Sequence, residues 1–423
     1  MRTSHRWRVE NVATYAFQAL FILGLYYTWY RYPFKINAKN TSPTYADTPA
    51  WLQGGKYILI IGVLLAVGVI VAVVVFRSRA RINLRDRDIL FVFVAGGLFS
   101  GMSLFAIIKG VVIGDTDSLK LGVILGVGIV LSALSVGWKL VGRRLVKILS
   151  IFASVVILVD AVQILLYVTT GRLPALAYAH SVSIRFGSIL DDPNGLAFLM
   201  PLLLGAVLFT WKHAFWRIVA ASSLVIALVL TQSLTGIASC LLAALIGTFT
   251  LGRGRRRRRF WAVLGVSLGF MAILLAVLLL SGIGQKFLQA KAGSFFAHST
   301  VLSAWPRLDV MTLLGLNGSV VSSESSYLSL VLQFGLPFTL AYCFLGVAAV
   351  VILRRVIRAD SPRRPPMIYV LFYYFLIAFL IGSINLRLSD VFPVNLFYVM
   401  GIAVSVFAVV ASRRKERDVA VID

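Results

Sequence analysis

Long apolar runs, separated by short polar connections, follow one another along almost the whole chain. An α-helix needs about 20 mostly apolar residues to cross the hydrocarbon core of a bilayer, and lipid offers no partner to a backbone N–H or C=O outside a helix. The pattern therefore predicts an all-α, polytopic integral membrane protein with a single transmembrane domain over residues 1–423. About twelve transmembrane helices are expected, at residues 11–29, 57–76, 89–108, 121–138, 148–168, 195–211, 215–230, 236–251, 260–280, 327–353, 367–384 and 393–411.

The distribution of positive charge orients these helices. The formal net charge of +25 would suggest nucleic acid as a partner of a soluble protein, but 59% of the residues are hydrophobic and only 13% are charged, which excludes an ordinary soluble globule. When the connections are assigned alternately to two sides, 29 of the 41 Lys and Arg residues fall on one side and 12 on the other. Cationic loops stay in the cytoplasm, where anionic lipid holds them. We predict that both termini are cytoplasmic.

The arginine run at 255–259 belongs to the same cationic side, between two predicted spans. A run of this kind is typical of a topology anchor that contacts membrane lipids. Nothing else in the sequence indicates a nucleic-acid module. We expect no nucleic acid among the partners.

Sequence motifs exclude several enzyme classes. The chain has no Walker loop, no HExxH and no dinucleotide fingerprint, and its two cysteines, Cys240 and Cys343, lie inside predicted spans. We therefore expect no metal and no cofactor. Any chemistry must come from scattered polar residues, and those gather in two long connections on the predicted external side, at 169–194 and 281–326.

The first external loop ends in two acids and a turn sequence. Asp192 precedes Pro193, which suits a first helical turn, and Asn194 can hydrogen-bond free backbone N–H groups, so this stretch predicts the N-terminal cap of the sixth span. A cap does not account for Arg185 or for the second acid, Asp191. A guanidinium beside a helix N-terminus is also a way to hold a phosphate.

The second external loop contains an apolar, weakly basic segment that predicts interfacial helices on the external side. Glu324 lies just before the apolar start of the tenth span. Two interpretations remain open: Ser323 or Ser325 caps that helix while Glu324 complements its dipole, or Glu324 is a carboxylate positioned for chemistry at the membrane surface.

Three stretches together resemble a known family. RFGSILDDPNGLAFLMPLLL (185–204) resembles a signature of bacterial O-antigen polymerases and O-antigen ligases, in which an arginine and a glycine precede Asp-Pro-Asn and an apolar helix. LVLTQSLTGIASCLLAAL (228–245) resembles their hairpin with a Thr-x-Ser turn, and ESSYLSLVLQFGLPFTLAYCFLGV (324–347) resembles their polar entry to a later span. The resemblance covers about residues 173–350.

Two departures from the family pattern favour the polymerase branch. Many relatives have an arginine after the serine of the Thr-x-Ser turn, but Leu234 follows Ser233 here, so no second arginine role transfers to this turn. Ligases show a His-Asn-like pair before the later Tyr-Leu, whereas this chain has Glu324, Ser325 and Ser326 before Tyr327.

The resemblance implies a multi-span (GT-C-like) glycosyltransferase in the bacterial inner membrane with its active site facing the periplasm. It would polymerise undecaprenyl-diphosphate-linked oligosaccharides without metal or cofactor, with a chain-length regulator and a flippase as candidate partners. Transfer to lipid A or another acceptor, as in a ligase, is the alternative. In either case Arg185 would stabilise the diphosphate, and Glu324, with Asp191 and Asp192 as rivals, would act as the base. Supporting substrate-binding residues would be Asn194, Arg172, Arg307 and Arg387.

One acid argues for a different class of protein. Asp160 lies in the middle of the fifth predicted span, close to Gln163, where an unpartnered carboxylate is costly. Such a residue is typical of a proton-coupled transporter or flippase. The sequence shows no convincing internal repeat of the kind that transporters have.

Overall fold

The computed structural model describes residues 11–27, 50–78, 87–170, 177–180, 183–190, 192–251, 309–316, 323, 325–359 and 366–420. In chain order its elements are α1 Val12–Tyr26, α2 Ala50–Ser78, α3 Arg87–Ile113, α4 Thr116–Gly137, α5 Gly142–Thr170, β1 Ala177–His180, β2 Ser183–Phe186, α6 Pro193–Thr210, α7 Ala214–Leu230, α8 Leu234–Leu251, α9 Val310–Leu313, α10 Ser326–Ala359, α11 Met367–Gly382 and α12 Val394–Ala420.

The helices follow the apolar runs of the sequence. Eleven of the twelve predicted spans fall wholly or mostly on described residues, where each forms a helix, while the span predicted at 260–280 lies outside them. Among the described residues, eight helices are long and apolar enough to cross a membrane, and α1, α7 and α11 are shorter apolar helices. The prediction of an all-α membrane protein is confirmed. The two strands form one short antiparallel hairpin.

The helix α12 lies at the centre of the bundle. Every residue from 392 to 408 is buried, and α12 packs against α4, α10 and α11. Aromatic rings fill this centre: Tyr398 stacks on Phe379 with ring centroids 4.2 Å apart, and Phe397 meets Phe21 edge to face at 5.0 Å. Lipid tails are as apolar as these side chains, so close packing rather than water exclusion stabilises such contacts.

Hydrogen bonds between helix ends agree with an alternating path through the membrane. At one end of the bundle, the Asn385 Nδ2 donates to Thr235 Oγ1 at 2.9 Å. At the opposite end, Arg358 Nε donates to the Thr250 carbonyl at 2.7 Å. Both pairs join chain positions that the sequence assigns to the same side. The end that contains Thr235 and Asn385 is the predicted periplasmic side, and we call it the Arg185 side because Arg185 also lies there.

The helix α10 is broken at Gly335, where the backbone has φ 86° and ψ 170°. The short helix α9, capped by Asp309, brings Gly315 with φ 76° directly against this break. Lys109 of α3 reaches the same point: its Nζ donates to the Gly315 carbonyl at 2.9 Å and to the Gln333 carbonyl. A buried ammonium thus satisfies carbonyl groups that regular helices would have satisfied themselves.

Candidate functional site

Arg185 lies on β2 of the hairpin, opposite Tyr178 of β1. Its half-buried guanidinium donates from Nε to the Thr231 carbonyl at 2.7 Å and from Nη2 to Asn194 Oδ1 at 2.8 Å. Charge-assisted hydrogen bonds of this length are stronger than neutral ones and fix the plane of the guanidinium. The arginine therefore joins β2, the start of α6 and the turn between α7 and α8.

Asp192 caps α6, as the sequence predicted. Its side chain accepts a hydrogen bond from the Asn194 backbone N–H at 2.8 Å, and Pro193 occupies the first helical turn. The expectation for Asn194 needs correction, because its side chain accepts from Arg185 instead of binding backbone N–H groups. Capping and arginine positioning thus belong to one arrangement at the N-terminus of α6.

The turn at residues 187–190, which connects β2 to this cap, is buried against α5. Ser188, Ile189 and Leu190 are at most 2% exposed, and Ser188 has φ 53°. The Ser188 Oγ donates to the Val156 carbonyl at 3.2 Å, and Gln163 Nε2 donates to the Ser188 carbonyl at 3.3 Å. A non-glycine residue at positive φ costs free energy and persists where surrounding contacts enforce it. We name residues 187–190 the α5-docked turn.

The Thr-x-Ser sequence forms the turn that accepts Arg185. Thr231 is fully buried, Gln232 has φ 52°, and the Ser233 Oγ accepts the Gly236 backbone N–H at 3.3 Å at the start of α8. Because this tight turn ends α7, the Thr231 carbonyl is available to a side chain from outside the helix.

The start of α10 is fixed to the connection between α11 and α12. The Ser326 backbone N–H donates to the Ser383 carbonyl at 3.0 Å, and the Ser326 Oγ donates to the Leu386 carbonyl at 2.8 Å. Ser325 Oγ accepts the Leu328 backbone N–H at 3.5 Å, which is the cap predicted for this helix. Glu324 itself lies outside the described residues.

Hydrogen bonds and short chain segments connect Arg185 with the start of α10. Arg185 binds the Thr231 carbonyl, Thr235 four residues later binds Asn385, and the adjacent Leu386 binds Ser326. We name this connection the Arg185–Ser326 network. It places the arginine of the first external loop and the residues next to Glu324 on one side of the bundle.

Arg387 pairs with acids near this network. Its guanidinium forms an ion pair with Asp390 and lies 4.0 Å from Asp117. Burial raises the pKa of the Asp390 carboxyl, while Arg387 opposes that change. Arg387 was expected to bind substrate, but in this structure its partners are protein carboxylates. One further acid at the same end, Asp115, caps α4, and Asp117 lies in the first turn of that helix.

Arg172, Asp191 and Arg307 lie, like Glu324, outside the described residues. Within the described ranges, no group of three or more His, Cys, Asp or Glu residues could hold a metal ion. Cys240 donates from its Sγ to the Ala197 carbonyl at 3.3 Å, in agreement with a packing role.

Sequence reasoning missed Lys109. The side chain is 8% exposed and its Nζ lies 5.9 Å from the Phe334 ring centroid, in addition to its two carbonyl contacts. A single lysine near the end of an apolar run is normally expected to extend to the membrane surface. The Gly335–Leu336–Pro337 sequence was the available signal that unsatisfied carbonyls lie nearby.

Comparisons with protein-family models, curated proteins and solved structures found no match.

Proposed function

We propose that this protein is a membrane glycosyltransferase that joins oligosaccharide units carried on undecaprenyl diphosphate into a polysaccharide. The observation that carries the proposal is the Arg185–Ser326 network, which brings a fixed guanidinium and the residues beside Glu324 to the same side of the bundle. The reaction requires a cation for the leaving diphosphate, which is the role proposed for Arg185, and a base for the acceptor hydroxyl, which is the role proposed for Glu324.

Arg185 would stabilise the departing diphosphate. As the glycosidic bond to phosphate breaks, negative charge grows on the phosphate oxygens, and a guanidinium held in advance stabilises that charge without having to reorganise. The N-terminus of α6, immediately beside Arg185, adds a partial positive charge. The bonds to Thr231 and Asn194 support this role because they hold the arginine in place.

Glu324 would take the proton from the attacking hydroxyl. General-base assistance of this kind contributes roughly a hundred- to ten-thousand-fold in rate. Its neighbour Ser326 is fully buried and bonded to the α11–α12 connection, so the backbone close to Glu324 is firmly held. Asp192 is a weaker candidate because its carboxylate caps α6.

Proton-coupled transport of a lipid-linked glycan is the second candidate. Two observations favour it: α10 is interrupted at Gly335, and Asp160 is buried in α5. Transporters use broken helices and buried acids at their substrate and ion sites.

The test uses purified protein in liposomes with a synthetic undecaprenyl-diphosphate oligosaccharide as the sole added substrate and a gel readout of saccharide length. We expect a ladder without nucleotide or metal. Arg185→Ala should reduce product by about a hundred- to a thousand-fold, the usual effect of removing one group that stabilises developing charge.

The matched control is Arg143→Ala, which removes an exposed arginine at the opposite end of the bundle and should leave the ladder unchanged. Full polymer yield from correctly inserted Arg185→Ala protein would contradict the diphosphate role. If the matching repeat unit gives no ladder, addition of lipid A acceptor tests the ligase reaction. If both reactions fail while the substrate crosses the bilayer, the transport candidate is correct.

A further inference from the structure

Two polar side chains of α5 lie beneath the α5-docked turn. Asp160 is 4% exposed and Gln163 is 2% exposed. They are three residues apart on one helix, a spacing that places side chains on the same face about 5–6 Å apart at Cβ. The turn that they face leads directly from Arg185 to the cap of α6.

The orientation of the Gln163 amide follows from its partner. Gln163 Nε2 donates to the Ser188 carbonyl, which can only accept, so the Gln163 Oε1 is directed elsewhere. That oxygen and both carboxyl oxygens of Asp160 are buried, and none has a hydrogen-bond partner of good geometry among the described residues.

The two carboxyl oxygens of Asp160 and the Gln163 Oε1 are therefore three buried acceptors on one face of α5 without enough hydrogen-bond donors. A single added proton reduces this deficit, because a protonated Asp160 has an O–H that can donate to Gln163 Oε1, three residues along the same helix. We propose that Asp160 binds a proton from solvent, which converts its carboxylate to the neutral acid, and that this acid holds the α5-docked turn in place. No other bond forms or breaks.

In the described part of the chain, no positively charged group near α5 is positioned to neutralise a carboxylate at Asp160. The helix α6 has no ionisable side chain, α1 contributes Tyr15 and Tyr26, and Arg217 of α7 lies at the opposite end. The tyrosines of α11 are in its first half, close to that opposite end. On β2, Arg185 is bonded to Thr231 and Asn194.

The sign of the pH dependence follows from this arrangement. The native state favours the protonated form, so the contribution of Asp160 to stability is present at low pH and is lost as rising pH removes the proton. A charged carboxylate without a counter-ion is then buried against the turn. The turn should release from α5, and Arg185 should lose its fixed position.

Infrared spectroscopy tests the proton directly. The difference between wild type and Asp160→Asn, recorded on full-length protein in lipid at neutral pH, should contain the carbonyl band of a protonated carboxylic acid. Carboxylate bands at neutral pH would overturn the proposal. So would a spectrum that changes when Na⁺ is replaced by a large organic cation, because the oxygens would then hold a metal ion.

Hydrogen exchange tests the connection to the turn. Uptake by the peptide that contains 187–190, relative to unfolded chain at the same pH, should rise in wild type by up to about tenfold per pH unit as the proton is lost and then level off, since each unit changes proton occupancy tenfold. Asp160→Asn, whose amide donates as the neutral acid does, should abolish the rise. Gln163→Leu should increase exchange at neutral pH, and Ser154→Ala, on the exposed side of α5, should not.

An equal pH response in wild type and Asp160→Asn would contradict the proposal. We also expect polymer synthesis to fall at high pH, and this expectation rests on the proposed function. The infrared and exchange tests do not depend on it. If only the polymer-synthesis measurement fails, the result counts against the glycosyltransferase assignment, and the proton site at Asp160 is still established.

Discussion

Arg185 contacts parts of the chain that are distant in sequence. Its acceptor Thr231 is 46 residues away and its acceptor Asn194 is nine residues away, at the ends of different helices. The adjacent cap explains why Asp192 and Asn194 occur together: one carboxylate satisfies the backbone of α6, and one amide oxygen receives the guanidinium. The same residues therefore serve stability and the proposed chemistry, and substitutions must be chosen to separate the two.

Substitutions at Asp192 separate its contribution to stability from a contribution to the proposed chemistry. Asp192→Ala should lower the free energy of unfolding by about 0.5–2 kcal/mol because a helix cap is lost, whereas Asp192→Asn should cost much less because asparagine also caps. Polymer synthesis should persist in Asp192→Asn. Thermal unfolding in detergent and the gel assay measure the two effects. A stable Asp192→Asn protein without activity would instead identify Asp192 as the base.

Lys109 provides a second test at the residue scale. Lys109→Met keeps the length of the side chain but leaves the Gly315 and Gln333 carbonyls without their donor, which should cost about 1–3 kcal/mol for each buried acceptor. The unfolding midpoint should fall accordingly.

The control for Lys109 is Lys120→Met. Lys120 forms an exposed ion pair with Asp117 at 2.6 Å, and such pairs contribute about 0–1 kcal/mol. Equal shifts of the unfolding midpoint for the two variants would show that the Lys109 contacts contribute no more than a surface pair.

At the scale of elements, α9 and the broken α10 form one unit. A Cβ added at Gly335 would lie 2.5 Å from the Gly315 backbone nitrogen, and both glycines have positive φ. Only glycine combines that backbone conformation with such a close approach. The Gly335–Gly315 pair therefore determines where α10 breaks and where the segment that contains α9 contacts it.

Gly335→Ala should destabilise the protein by more than the roughly 1 kcal/mol that an unfavourable backbone conformation alone costs, because the backbone of residues 313–315 must also move. Gly68→Ala in α2 is the control, since its Cβ would meet no atom within 4 Å. The comparison is made by thermal unfolding in the same detergent. A Gly335→Ala protein as stable as the control would show that the helix tolerates a different path at this point.

At the scale of the whole molecule, the sequence predicted those features that depend on residues adjacent in the chain. Hydropathy located the helices, and the Asp192–Pro193 pair located a cap, because both signals are local. The burial of the α5-docked turn and the contact of Lys109 with Gly315, 206 residues away, depend on which helices become neighbours. No local pattern specifies that arrangement, so the sequence did not predict that the α5-docked turn packs against α5.

The predicted orientation can be tested on intact cells. Single cysteines at His213, and at Asn385 at the other end of the bundle, are introduced into a variant without Cys240 and Cys343. A thiol reagent that cannot cross the inner membrane should label position 385 but not 213, because the cationic connections are expected in the cytoplasm. The reverse labelling pattern would invert the topology and place Arg185 in the cytoplasm.

The break at Gly335 divides α10 into two helices, each with its own dipole. Residues 336–353 form an apolar stretch of 18 residues, about 27 Å long at 1.5 Å per residue, which is close to the thickness of the hydrocarbon core. The second half alone can therefore cross the membrane, and Pro337 stands in its first turn, where no N–H is required. The first half is not needed to span the bilayer, and Lys109 lies at its C-terminal, negative pole.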